Sequence, residues 1–161
     1  MTDPAGRAGQ AAVPGDGPWQ LRIEADLERV AEVRALVRSA VDGADPGADP
    51  ECQDDLVQAV DEAATNVIRH GYAGSPGWLD VRIERHGDRL VITMEDEAPP
   101  FDPSAVPPPD LGTPPEARRP GGMGVHLMRA GTDAITHSPR PGGGNILTLT
   151  RRLDRRPKEE R

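Results

Sequence analysis

Glu62 and Asn66 are the first pair in this chain whose types and spacing invite chemistry. They stand one helical turn apart in Asp61-Glu62-Ala63-Ala64-Thr65-Asn66-Val67-Ile68-Arg69-His70-Gly71-Tyr72. Around them Leu56, Val57, Val60, Ala63, Ala64, Val67 and Ile68 recur with a helical period, so one stripe of a helix faces a core. Glu62, Asn66 and His70 then stack up the flank of that stripe. An amide and a carboxylate beside a buried face suit a bound cation and an acid–base step, and equally an ordinary polar flank. The spacing predicts a helix from about residue 51 to residue 70, stopped by Gly71 as a left-handed C-terminal cap.

Two further segments carry candidate groups. Asp96 sits where a strand ends, followed by Glu97-Ala98-Pro99-Pro100-Phe101-Asp102-Pro103. Proline fixes the chain there, so the carboxylate is held in place to accept from a buried amine such as the exocyclic amine of adenine. A turn aspartate bonding its own backbone is the plain alternative. Gly121-Gly122-Met123-Gly124 opens a short helix, where free N–H groups and the positive end of the helix dipole together attract anions. Its spacing matches neither the P-loop nor the Rossmann fingerprint. Arg118 and Arg119 precede it and could meet phosphate oxygens or simply be solvated. His86, His126 and His137 read as surface or packing residues.

These groups need a scaffold, and the hydrophobic pattern supplies one. Residues 19–25 alternate as a strand. Asp26 caps a helix to about Asp42 with Leu27, Val30, Val33, Leu36, Val37 and Val41 on its apolar face. After the Glu62 helix, residues 78–84 and 90–96 form a β-hairpin around His86-Gly87-Asp88. Nine prolines between Pro99 and Pro120 break the pattern, marking a lid, a binding loop or a disordered stretch. A helix from Val125 to about Ala130 follows. Strands are expected over residues 133–136 and 145–153, with Gly142-Gly143-Gly144-Asn145 as the turn before the last. The expected fold is therefore α+β, a two-layer sandwich with a mixed, largely antiparallel sheet and about three helices on one face.

Length and charge narrow the function classes. The 161 residues suffice for about one domain. We expect residues 1–17 to be a disordered leader, 18–153 the domain and 154–161 a charged tail. A net charge of −8 argues against direct nucleic-acid binding through phosphates. The few aromatics argue against stacking single-stranded bases. A lone Cys52 fits a reducing compartment and is read as a small, half-buried side chain. No segment approaches the roughly 20 apolar residues of a membrane span. The expectation is a cytoplasmic protein with no membrane partner.

Taken together and in order, the motifs resemble the nucleotide boxes of GHKL ATPases with a histidine-kinase-like (Bergerat-type) ATP-binding fold. Glu62-x-x-x-Asn66-x-x-x-His70-Gly71-Tyr72, then Asp96 through Pro103, then Gly121 through Val125 carry the likeness. More narrowly, the Pro100-Phe101-Asp102-Pro103 run and the Gly143-Gly144-Asn145-Ile146-Leu147-Thr148-Leu149 ending are similar to the anti-sigma-factor serine/threonine kinases. The resemblance implies that Asn66 coordinates Mg²⁺ on ATP, that Glu62 is the general base, and that Asp96 binds the adenine amine. It further implies that Gly122 and Gly124 bring N–H groups to the phosphates, and that Ala98, Val125 and Thr148 lie against the nucleotide. Ala98 stands where the family often has glycine, which predicts a slightly tighter pocket. The implied activity is ATP-dependent phosphorylation of a STAS-type anti-anti-sigma partner by a protein that also sequesters a sigma factor, with homodimerisation suggested. The alternative is an ATP-binding partner-switching module without kinase activity, or one whose partner is not a sigma factor.

Overall fold

The computed structural model describes residues 17–117 and 123–153. The expected leader and tail, and Arg118, Arg119, Gly121 and Gly122, therefore lie outside the described residues, apart from Gly17. Five strands form one sheet: β1 (Trp19–Glu24), β2 (Trp78–His86), β3 (Arg89–Asp96), β4 (Ala134–Pro139) and β5 (Asn145–Arg152). Their spatial order is β1-β2-β3-β5-β4, and every neighbouring pair is antiparallel. The sheet is thus wholly antiparallel rather than mixed. The helices α1 (Val30–Ala44), α2 (Pro50–Asn66) and α3 (Met123–Ala130) pack against it.

Strand alternation decides which residues meet the helices. Leu79, Val81 and Ile83 of β2, Leu90, Ile92 and Met94 of β3, and Leu147 and Leu149 of β5 are buried. They pack with Val33, Val37 and Ala40 of α1 and Leu56, Val60 and Ala64 of α2. The opposite face is polar and carries the bidentate Arg22–Asp80 pair at 2.6 and 2.5 Å. There the guanidinium carbons of Arg22 and Arg140 lie 4.2 and 5.1 Å from the Trp78 ring centroid.

Two local expectations change. Asp26 does cap, accepting from the Glu28 N–H at 2.9 Å, but it caps a 3₁₀ turn, Leu27–Arg29, before α1 begins. Leu27 is consequently turned out to solvent and is 43% exposed. The second change concerns the end of α2. The α-helix gives way at Asn66 to a π-helical segment, Val67–Tyr72, whose left-handed cap is Ala73 at φ 50° rather than Gly71. Gly71 has a different job, set out below.

Helix α3 lies on α2 through two glycines. A Cβ on Gly131, just past α3, would fall 2.2 Å from the Asp55 carbonyl oxygen and 2.8 Å from the Ala59 Cβ. A Cβ on Gly124 would fall 2.8 Å from Glu62 Oε2. Seven residues separate the two glycines, as seven separate Asp55 from Glu62 and Ala59 from Asn66. The helices therefore run antiparallel for about two turns, and at Gly131, where the neighbour is backbone, only glycine permits the approach. That approach brings the start of α3 beside the side-chain ends of Glu62 and Asn66.

Candidate nucleotide site

The candidate site lies where α2 ends over the sheet. A cavity of about 220 Å³ is lined by Asn66 at one side and by Asp96 and Asn145 at the other, with Val67, Met128 and Leu147 among its apolar walls. Glu62 and Gly124 adjoin Asn66 rather than lining the cavity. The Cβ position of Gly124 is 3.6 and 3.7 Å from the Asn66 amide atoms and 2.8 Å from Glu62. Residues read from two separate motifs thus converge.

Asp96 is the last residue of β3 and is 1% exposed. Its Oδ1 accepts from the Ala98 N–H and from Asn145 Nδ2, both at 2.9 Å. Its Oδ2 has no hydrogen bond among the described residues, yet the residue lines the cavity. A buried carboxylate with one oxygen tied and the other open is a ready acceptor for an amine. Burial pushes its pKa upward, partly opposed by the bonds from Asn145 and Ala98.

Several contacts hold that carboxylate's surroundings. Gly144 has φ +110°, and a Cβ there would lie 1.9 Å from the Asp96 carbonyl oxygen. Glycine is required on both counts, and it starts β5 tightly against the end of β3. The Tyr72 hydroxyl accepts from the Glu97 N–H at 2.8 Å and donates to the Trp78 carbonyl at 2.6 Å. It ties the end of the π-helical segment to two strands at once. Its ring lies over Gly77, where a Cβ would come within 2.0 Å.

Ala98 is 2% exposed and lines the cavity. Its methyl group is accommodated by Gly71: a Cβ on residue 71 would be 2.9 Å from the Ala98 Cβ. Gly71 is needed for close approach across the pocket, not for a helix cap.

Other expected site residues are placed elsewhere. Val125 is 4% exposed and its side chain joins the core. Thr148 pairs with Thr93 and Thr136, and alternation turns it to the sheet face away from the helices and the cavity. Gly122 lies outside the described residues. His70 is exposed at the cavity rim. Cys52 is half-buried as expected.

Asn145 is the residue that sequence reasoning missed. The sequence places it at the end of a glycine turn and the start of the last strand, with no role of its own; it is 6% exposed and is bonded to four residues of the segment from Asp96 to Phe101. Its Nδ2 donates to Asp96 Oδ1 and to the carbonyls of Ala98 at 3.3 Å and Pro99 at 3.1 Å. Its Oδ1 accepts from the Phe101 N–H at 2.9 Å. The signal was available: Leu147 and Leu149 face inward, so period two puts Asn145 inward and Thr148 outward.

The start of the proline-rich loop is also held. Asp102 caps a 3₁₀ turn, Pro103–Ala105, accepting from the Ser104 N–H at 2.9 Å. Arg129 of α3 donates to the carbonyls of Pro103, Ser104 and Val106 at 3.4, 3.2 and 2.8 Å. The loop and α3 therefore share one support.

Comparison with known proteins agrees with this geometry. The family model of the histidine kinase-like ATPase domain matches residues 23–151. The chain belongs to that family. Its fold of three helices on an antiparallel sheet is the GHKL one, and membership implies that the domain binds ATP. The serine/threonine-protein kinase BtrW of Bordetella bronchiseptica is 29% identical over 96 residues, covering 59% of this chain and 67% of that protein. An anti-sigma F factor of a Thermoanaerobacter species is 28% identical over 97 residues, 60% and 68% of the two chains. The serine-protein kinase RsbW of Bacillus cereus is 31% identical over 86 residues, 51% of this chain and 54% of its own length. These are distant relatives. No helix among the described residues is long and apolar enough to cross a membrane.

Proposed function

We propose that this chain is an ATP-dependent serine/threonine kinase of the anti-sigma type, which binds a sigma factor and phosphorylates a STAS-type anti-anti-sigma protein. The observation that carries the reading is the convergence of Glu62, Asn66 and Gly124 beside a cavity into which Asp96 turns a carboxylate oxygen that has no hydrogen bond among the described residues. The relatives' names, two kinases and an anti-sigma factor, support it.

Each residue has a part that its surroundings suit. Asp96 Oδ2 accepts from the adenine amine, and the apolar walls take the ring. The N-terminal turn of α3, which lies beside Asn66 at Gly124, presents N–H groups to the phosphates. Asn66 Oδ1 accepts no hydrogen bond among the described residues, and Nδ2 makes only a weak 3.8 Å contact to Met128 Sδ. That leaves the oxygen open to Mg²⁺. Among the described residues no group of three acidic, histidine or cysteine side chains could hold a metal. The ion would therefore be held chiefly by phosphate oxygens and water, with Asn66 as its protein ligand. When bound, Mg²⁺ neutralises charge on the transferring phosphoryl group. Glu62 makes no ion pair or hydrogen bond among the described residues, so its carboxylate is free to take the proton of an incoming serine or threonine hydroxyl.

The test is phosphate transfer from labelled ATP to candidate STAS proteins. Transfer by the wild type, reduced about 10²- to 10⁴-fold in Glu62→Ala with ATP still bound, is the expected result. ATP binding without transfer to any STAS protein would instead describe a partner switch lacking kinase activity. Transfer at the wild-type rate by Glu62→Ala would remove the base assignment.

A further inference from the structure

We propose that His137 is a positioning residue for base recognition, acting on Asp96 through Asn145. It rests on the nucleotide reading above and adds a residue that no motif marked. His137 is half-buried on β4, lines the cavity, and places Nε2 2.7 Å from Asn145 Oδ1. Which of these atoms donates follows from the neighbours. The Phe101 backbone N–H can only donate, and it points at Asn145 Oδ1. The Ala98 and Pro99 carbonyls can only accept, and both meet Nδ2. The amide orientation is thus fixed by three backbone groups, and the Nδ2 bond to Asp96 Oδ1 agrees with it. Asn145 Oδ1 is an acceptor, so His137 must carry its proton on Nε2.

The result is a directed chain: His137 Nε2–H to Asn145 Oδ1, and Asn145 Nδ2–H to Asp96 Oδ1. Asn145 follows Gly144, whose positive φ and close contact with β3 fix its backbone, but a side-chain amide can still turn over. A flipped amide would set its oxygen against the Asp96 carboxylate and two carbonyls, and would leave Oδ2 of Asp96 free to rotate toward other partners. His137 adds a second donor on the oxygen side and so disfavours that flip. Its partner strand bonds hold it there: His137 pairs with Leu147, two residues from Asn145 on the same face of β5. The expected consequence is selectivity. With the chain intact, the open oxygen of Asp96 faces the position of a purine 6-amine and rewards its presence.

The experiment measures affinity for ATP and for purine riboside triphosphate, which lacks only the 6-amine, by calorimetry at fixed Mg²⁺. Wild type is expected to prefer ATP by about 10- to 100-fold, the scale of one bond to a buried charged acceptor. In His137→Phe the preference should fall to about threefold or less, with affinity for the amine-free nucleotide nearly unchanged. His137→Gln, whose amide nitrogen can reach the same oxygen, should restore most of it. If the Phe variant does not fold, His137→Thr is read in the same way, being compatible with a strand but too short to reach Asn145. Equal loss for both nucleotides would show a packing role and overturn the proposal, as would full preference in the Phe variant or in the Thr variant that replaces it. A wild type with no preference would instead fail the adenine reading of Asp96 itself.

Discussion

The two ends of the cavity are built on opposite principles. At the Asp96 end nearly every polar group has a protein partner: Asn145 alone bonds Asp96, Ala98, Pro99, Phe101 and His137. One carboxylate oxygen is left over. At the Glu62 end Glu62 and Asn66 have almost none among the described residues, and position comes from the seat that Gly131 gives α3 on α2. A satisfied network holds one orientation and suits recognition of a rigid ring. Groups on packed helices with few partners leave their polar atoms open to charged, solvated ligands. One end is finished by folding and the other is finished by what binds.

The contrast can be broken most forcefully at the base end. Gly144→Ala would put a Cβ 1.9 Å from the Asp96 carbonyl oxygen in a left-handed conformation. We expect a loss of about 3–5 kcal/mol in unfolding free energy, read from denaturant midpoints at constant slope. Asp96→Asn should separate stability from binding. The asparagine keeps an oxygen for Ala98 and Asn145 but turns the open acceptor into a donor, so ATP affinity should fall about 10- to 100-fold. Its fold should be as stable as wild type or more so at pH 7, because a buried charge is gone. The pH dependence has a definite sign. Burial raises the Asp96 pKa in the folded protein, so protonation favours folding, and that gain is lost as pH rises through the folded value. The stability advantage of Asp96→Asn over wild type should therefore shrink as pH falls toward and below that value.

At the other end the effects on the fold should be small. Asn66→Ala removes only the 3.8 Å contact to Met128 Sδ. Unfolding free energy should change by no more than about 0.5 kcal/mol, while the enhancement of ATP binding by Mg²⁺ in a titration disappears. The smallest effect is expected on the outer sheet face. Arg22→Ala breaks the exposed pair with Asp80 and the contact with Trp78, yet should lower stability by about 1 kcal/mol at most and leave ATP affinity unchanged. A large loss of affinity there would show that the outer face supports the base end, and the contrast would need redrawing.

Much of the scaffold was legible because periodicity reports burial directly. The β2–β3 hairpin, α1, α2 and the last strand fall within a few residues of their expected bounds. Leu27 and the end of α2 were misplaced for local reasons that propensity does not carry, a 3₁₀ entry turn and a π-helical exit. Of the expected site residues, Asn66 and Asp96 line the cavity and Glu62 adjoins Asn66, and type and spacing alone single these three out. Val125 and Thr148 came with a motif rather than from side-chain direction, and direction is what places them in the core and on the far face. Gly71 shows the same lesson in reverse: a glycine after a helix reads as a cap, although here it makes room for Ala98.

By itself, the sequence determined which helix and strand border the cavity, because hydrophobic period and glycine placement act over short distances. It also held the family signature over residues 23–151. Only the tertiary structure decided how those pieces face one another. Gly131 sets the approach of α3, Gly144 sets β5 against β3, and Asn145 and His137 join Asp96 in one hydrogen-bonded chain from strands remote from it in sequence. Contacts between distant segments have no period to betray them, so the orientation of a buried amide waits on the fold.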